Sequence, residues 1–388
     1  MQSEPTTSSQ RAVGAAWLAG TLSAAVLLML PALLARLAEE LSLTETQLGV
    51  FSFADLGGLT AGAAFGAHLL IKVGLRRLVR CGFALAALAN LGCVPVTHYE
   101  TLLVLRIGAG IGAGLVLAAV YVVLGHARRV DRSFAIFLLC QGIFSAMTLK
   151  SVPPVTELVG LGGVFAALAV LYAAAIWPMS ALPSGAQGVH HQTARPRPQL
   201  AAYAGLAGIL VFFMAQGGVW AYLELIGTRG GVDSISISNG LALSTLVGLL
   251  GPLTAAVIGQ RWGRALPLCL GLGTTLLALS LLGSRLDGSL FTLAACLFNI
   301  AWNFTIPYQL ATLSRAGAAS HTVAWAASIS LCGLAVGPLV IAFAYRAQGF
   351  HGVLWLSGAL CVASVAALTP ALTKRLTTPD LPAASSLR

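Results

Sequence analysis

A carboxylate and a guanidinium stand where the chain should carry no charge. Asp55 and Arg106 each fall inside an apolar run. A charge set deep in hydrocarbon costs about 2.5–3.5 kcal/mol on insertion scales unless it is paired or wetted. Asp55 is the one acid the sequence places clearly within such a run, and a carboxyl isolated there is protonated or paired. Three readings are open: a proton-carrying group whose charge Arg106 biases from a neighbouring helix, a purely structural Asp–Arg bond, or a helix shifted so that Asp55 meets outer water.

A second set of groups is neutral. Asn299, Trp302 and Asn303 share one face of an apolar segment by helical spacing, Gln216 and Trp220 share a face of another, and Gln141 sits midway along a third. Carboxamides with indoles can hold a small amphipathic molecule without fixing its identity. The same groups can also serve as interhelical hydrogen bonds and interfacial anchors. Lys150, just before Pro153-Pro154, reads as a side chain reaching to the surface; turned inward, it and Arg106 would make an outer cavity positive, suiting an organic anion. Glu224 and Arg229 read as charges at the outer mouth.

The elements that must position these groups are membrane helices. The chain is 57% hydrophobic and 9% charged, far below the roughly 25% charged residues of a soluble domain. Its apolar residues fall in blocks of about 20, the length of a helix that crosses a bilayer. Twelve such spans are read: 12–36, 48–71, 80–96, 101–124, 133–151, 155–180, 201–226, 236–259, 266–283, 289–313, 322–345 and 352–371. The fourth holds Arg106 followed by Gly108, Gly110, Gly112 and Gly114. Alternate glycines would weaken a soluble helix but let backbones approach closely in lipid.

The net charge of +10 sits in short connections, as topology-setting charge rather than a nucleic-acid surface. With the N-terminus inside, 16 of the 22 Lys and Arg residues fall on the inner side, which predicts cytoplasmic N- and C-termini in a cell membrane, the inner membrane where there are two. The first span reads as retained rather than as a removed signal peptide.

Residues 181–200 form the one long inner connection, rich in Pro, Ser and Gly and lacking apolar periodicity. It divides the chain into a bundle over 1–180, a cytoplasmic linker over 181–200 and a bundle over 201–388. His190-His191 within it read as solvated linker rather than a metal pair. The halves repeat weakly. Cap chemistry at Ser42-Leu43-Thr44-Glu45 precedes span two, and Asp233-Ser234-Ile235-Ser236 precedes span eight. Basic glycine turns follow both: Gly74-Leu75-Arg76-Arg77 and Arg261-Trp262-Gly263-Arg264. Two parallel six-helix repeats with a site between them fit that pattern.

At these turns the sequence resembles the major facilitator superfamily over nearly its whole length. The first turn keeps the family's glycine and basic residues but has Ala67 and Ile71 where the motif carries glycine and aspartate; the second has Gln260 at the acidic position. The resemblance implies that Gly74, Arg76, Arg77, Arg261, Gly263 and Arg264 form inner-gate loops that latch by charge pairs. It implies that Arg106 and its glycines belong to a fourth-helix motif linked to proton coupling, and that spans one, four, seven and ten line a central cavity. The fifth-helix glycine–proline motif of drug/proton antiporters is not evident; Gly333-x3-Gly337-Pro338 stands in span eleven instead.

The expectation is an all-α integral membrane protein with the superfamily fold, monomeric, carrying a small organic solute with protons by alternating access. Efflux by proton antiport is the alternative. A membrane enzyme or a non-transporting sensor is the rival of another class. No HExxH pair and no phosphate-binding Gly-rich loop ending in Gly-Lys-Ser/Thr is present. The seven cysteines show no metal or CxxC spacing and read as buried small hydrophobes. No cofactor, metal or nucleic-acid partner is expected.

Overall fold

The computed structural model describes residues 9–96, 98–182, 200–315 and 320–373. The first half contains α1 (Gln10–Ser23), α2 (Ala25–Glu40), α3 (Glu45–Val73), α4 (Leu75–Cys93), α5 (Tyr99–Gly125) and α6 (Val130–Ala175). The second contains α7 (Leu200–Arg229), α8 (Ser234–Gly248), α9 (Leu250–Ile258), α10 (Ala265–Leu282), α11 (Gly288–Arg315) and α12 (Ser320–Thr373). No strand occurs among the described residues.

Nine segments of the described residues are long and apolar enough to cross a bilayer. Two are of double length, and each is broken by a glycine in the left-handed region, Gly160 at φ 69° in α6 and Gly349 at φ 61° in α12. Dividing these two and adding α4, whose start carries Arg76, Arg77 and Arg80, is consistent with twelve crossings. They form two pseudo-symmetric six-helix bundles. Apolar side chains such as Phe65, Leu88, Val104 and Trp355 lie on the outside, where lipid tails are the natural solvent.

The glycines of α5 set the packing of the first bundle. A Cβ on Gly112 would come within 2.5 Å of the Gly82 carbonyl oxygen on α4, and one on Gly58 of α3 within 2.5 Å of the Ile107 oxygen. Gly110 and Gly114 face α3 in the same way. The second bundle repeats the device, with Gly251 of α9 set against the Ile300 oxygen of α11 at 2.6 Å. Backbones this close gain dispersion contacts that lipid cannot replace.

Three details differ from expectation. The cap of α3 is Thr44, boxed with Gln47, two residues on from the Ser42–Glu45 frame. Span five does not stop at Pro153-Pro154. The helix runs on to Gly160, and the Thr156 hydroxyl donates to the Pro153 oxygen at 2.8 Å. The carboxylate of Glu40 then accepts the Leu161 N–H at 2.9 Å and so caps the helix that restarts there. Finally, Cys81 and Cys269 are exposed rather than buried. The second cap is as read: Asp233 accepts from the Ser236 N–H at 2.9 Å, and the hydrogen bonds from Ser236 hold its carboxyl below the ordinary value. Residues 183–199, with His190, His191 and most of the expected linker, lie outside the described residues.

Candidate functional site: a cavity between the bundles

A cavity of about 190 Å³ lies where the two bundles face each other. Its walls are Leu27 and Leu28 of α2, Gln141 and Ser145 of α6, Phe213 and Trp220 of α7, Thr245 of α8, and Asn299, Trp302 and Asn303 of α11. Five of the six residues expected to line a solute cavity are thus brought together. Gln216 is the exception. It is fully buried, its Nε2 lies 4.0 Å from Cys361 Sγ and its Oε1 has no partner. The four-residue spacing to Trp220 does place it on a similar face of α7, but α7 is buried nearly all round, so one face touches two different neighbours.

The polar groups of the cavity are unequally engaged. The Trp220 indole N–H donates to the Leu27 oxygen at 2.9 Å, and Asn303 Nδ2 donates to the Asn299 oxygen at 2.9 Å. Asn299 Nδ2 donates to Ser244 Oγ at 3.0 Å and to the Ala295 oxygen at 3.2 Å. The Trp302 N–H and the Gln141 amide make no hydrogen bond to the described residues. Trp302 is ringed edge-on by Phe298, Phe213 and Trp220 at centroid distances of 5.9, 6.4 and 6.5 Å. No charged side chain lines the cavity among the described residues; Lys150 is exposed on α6 and is not part of it.

Asp55 and Arg106 do meet, but away from this cavity. Arg106 Nη1 lies 3.4 Å from Asp55 Oδ1, with Arg106 fully buried and Asp55 3% exposed. Arg106 Nη2 donates to Asn90 Oδ1 at 2.9 Å and to Cys93 Sγ at 3.4 Å, and the guanidinium stands 4.9 Å from the Phe165 ring centroid. The pair therefore sits inside the first bundle among α3, α4, α5 and the second part of α6.

Polar contacts join the bundles toward the Glu45 end. Arg229 of α7 bonds both the Glu45 carboxylate and the Tyr345 hydroxyl, and the Tyr222 hydroxyl donates to the Glu45 backbone carbonyl at 2.8 Å. Arg36 of α2 lies 3.6 Å from Glu224 of α7. Glu224 is 2% exposed and lies within α7, so it is not a solvated mouth charge but a second buried acid besides Asp55. Sequence reasoning missed this pair. Its signal was present: Glu224 stands between Leu223 and Leu225, and Arg36 between Ala35 and Leu37.

At the opposite face the basic turns behave differently from the expected latch. Gly74 (φ 80°) and Gly263 (φ 68°) make the turns. Arg76 Nε donates to the Leu182 oxygen at 2.8 Å, and Arg264 donates to the Ala311 oxygen. Neither carbonyl belongs to the opposite bundle. None of Arg76, Arg77 and Arg261 meets a carboxylate among the described residues, as the loss of the motif's aspartate at Ile71 allows. A recess of about 620 Å³ opens there beside Trp17, Arg128, Arg129 and Arg132.

Two helical bundles enclosing a mainly apolar cavity with a few amides, inside an apolar shell, have the architecture of a membrane transporter. Residues 15–322 match the Major Facilitator Superfamily, and the chain belongs to that family. It is a transporter and not an enzyme. Solved structures share the fold. A mutant of the nucleoside transporter NupG superposes with a TM-score of 0.77 at 13% identity, over 93% of this chain and 100% of that one. A D-xylose-proton symporter does so with a TM-score of 0.74 at 15% identity, over 92% and 96%. No curated protein matches by sequence.

Proposed function

We propose that this secondary transporter carries a small, uncharged organic solute linked to protons. The solute binds between the bundles over 1–180 and 201–388, which rock so that the cavity opens to each side in turn. The observation that carries the solute class is the lining. Placing an unpaired charge against Asn299, Asn303, Gln141 and a ring of aromatic groups would leave it poorly compensated. A neutral molecule is well served. The free Trp302 N–H is a donor, Gln141 supplies both kinds of group, and Asn299 and Asn303 keep their Oδ1 atoms as acceptors. The aromatic cluster about Trp302 suits a flat ring or the apolar face of a sugar.

Proton linkage is supported by carboxylates buried in the helices beside guanidiniums, Asp55 with Arg106 and Glu224 with Arg36. The arginine-rich face containing Arg76 and Arg128 is the cytoplasmic one on the positive-inside rule, in a cell membrane. One chain supplies both walls of the cavity, so a monomer suffices.

A thermal-stability screen of the purified protein tests the reading. Neutral nucleosides, pentoses, hexoses and heteroaromatic compounds are compared with organic anions and cations at two pH values, since a ligand that binds the folded state raises the melting temperature. Neutral compounds are expected to stabilise the parent and to lose that effect in Asn303→Ala. Stabilisation by ions alone, or an Asn303→Ala variant with unchanged response, contradicts it.

A further inference from the structure

Rocking of the bundles disturbs one buried ion pair and spares the other. Every group about Asp55 belongs to the first bundle: Arg106, Asn90, Cys93 and Phe165. That pair keeps its surroundings as the bundles turn. Glu224 lies on α7 of the second bundle, while its nearest cation, Arg36, lies 3.6 Å away on α2 of the first. Arg36 is shared, because its Nη1 stands 2.6 Å from Glu39. Glu224 Oε2 is buried with no hydrogen-bond partner. Glu39 is half exposed and solvated, whereas Glu224 is almost closed to water and shares the guanidinium with it, so the Glu224 charge is the poorly compensated one, which a proton neutralises. The other titratable groups at this junction have partners elsewhere: Arg229 bonds Glu45 and Tyr345, and Tyr222 and Tyr99 donate to the backbone of α3.

We propose that Glu224 is the binding site of the coupling proton. Water on the Glu45 face delivers the proton to Oε2, Arg36 keeps its bond to Glu39, and the ionic tie between bundles is lost, so this face can open. The tie cannot re-form until the site faces a more alkaline side and the carboxyl gives its proton up to water there. The inference rests on the reading of the chain as a proton-linked transporter.

The test places spin labels at Ser42→Cys and Ser284→Cys, exposed positions on the two bundles, in the full chain with its seven native cysteines replaced, reconstituted in liposomes. Distances are measured from pH 8 to pH 5. The parent is expected to gain a longer distance as pH falls. Glu224→Gln, a neutral isostere, is expected to show the longer distance at every pH. Glu39→Gln removes the competing charge and should move the midpoint to lower pH. A parent that does not respond to pH overturns the proposal, as does Glu224→Gln that still switches, or a switch abolished by Asp55→Asn instead. Should Glu224→Gln fail to fold, an unmoved midpoint in Glu39→Gln overturns it. Solute stabilisation is read separately, so an intact ligand response with a failed switch refutes this inference alone.

Discussion

Gly110 of α5 lies so close to Asp55 of α3 that a Cβ on the glycine would overlap the Asp55 carbonyl oxygen. The charged pair and the glycine contact are one feature. Close approach of the two backbones brings the Arg106 guanidinium within reach of the Asp55 carboxylate.

Gly110→Ala is therefore expected to push α3 from α5 and to destabilise the protein by about 1–3 kcal/mol, the usual cost of overpacking. Gly108, whose added Cβ would meet only Ala89 at 3.8 Å, is the control. Gly108→Ala should be neutral or stabilising by about 0.5–1 kcal/mol, through the helix propensity alone. Thermal unfolding in detergent distinguishes them, and equal effects would refute the close-packing account.

Removing the guanidinium leaves Asp55 without its counter-charge. Arg106→Gln should cost about 3–5 kcal/mol, as for breaking a buried pair from one side. Adding Asp55→Asn to it should recover part of that loss, because the two sites interact directly. A double variant whose cost equals the sum of the single ones would show that the 3.4 Å contact has no energetic consequence.

The two cavity tryptophans should separate. Trp302→Phe keeps the ring but removes a free donor, so solute binding should weaken by up to about tenfold, one hydrogen bond's worth. In Trp220→Phe the lost N–H is one that ties α7 to the Leu27 oxygen across the bundles, so the distribution between open and closed forms should shift more than the contact itself. Gln216→Leu, away from the cavity, should leave solute binding unchanged. Isothermal titration with a stabilising solute reads all three.

The tie at Glu45 predicts a local effect. Arg229 bonds Glu45 and stacks 5.3 and 5.6 Å from the Tyr345 and Phe350 ring centroids. The site is partly exposed, so Arg229→Gln should shift the closed–open balance by no more than about 1 kcal/mol. Hydrogen exchange should quicken in the first turn of α3 and not in α5. Unchanged exchange there would show that the tie does not hold this face shut.

Much of this was legible in the sequence for identifiable reasons. Bilayer-length apolar runs report crossings directly, and the i, i+3, i+4 spacing of Asn299, Trp302 and Asn303 carried their shared face into the cavity. The alternate glycines of α5 announced close packing before any neighbour was known. What was hidden depended on neighbours. Helix α7 is buried nearly all round, so periodicity could not say that Gln216 meets Cys361 while Trp220 meets the cavity. Arg36 and Glu224 are 188 positions apart, and only the approach of the two bundles makes them partners. The Pro153-Pro154 pair suggested a break, but the helix runs through it, and the actual break comes at Gly160.

The most direct measurement is access to the cavity from each side. Thr245→Cys, a lining position to which no solute contact is assigned, in the full chain without its native cysteines, is exposed to a membrane-impermeant thiol reagent in vesicles of either orientation. The account predicts labelling from both sides, with protection from both by a stabilising neutral solute. Labelling from one side only, whatever the pH, would contradict a cavity that opens alternately.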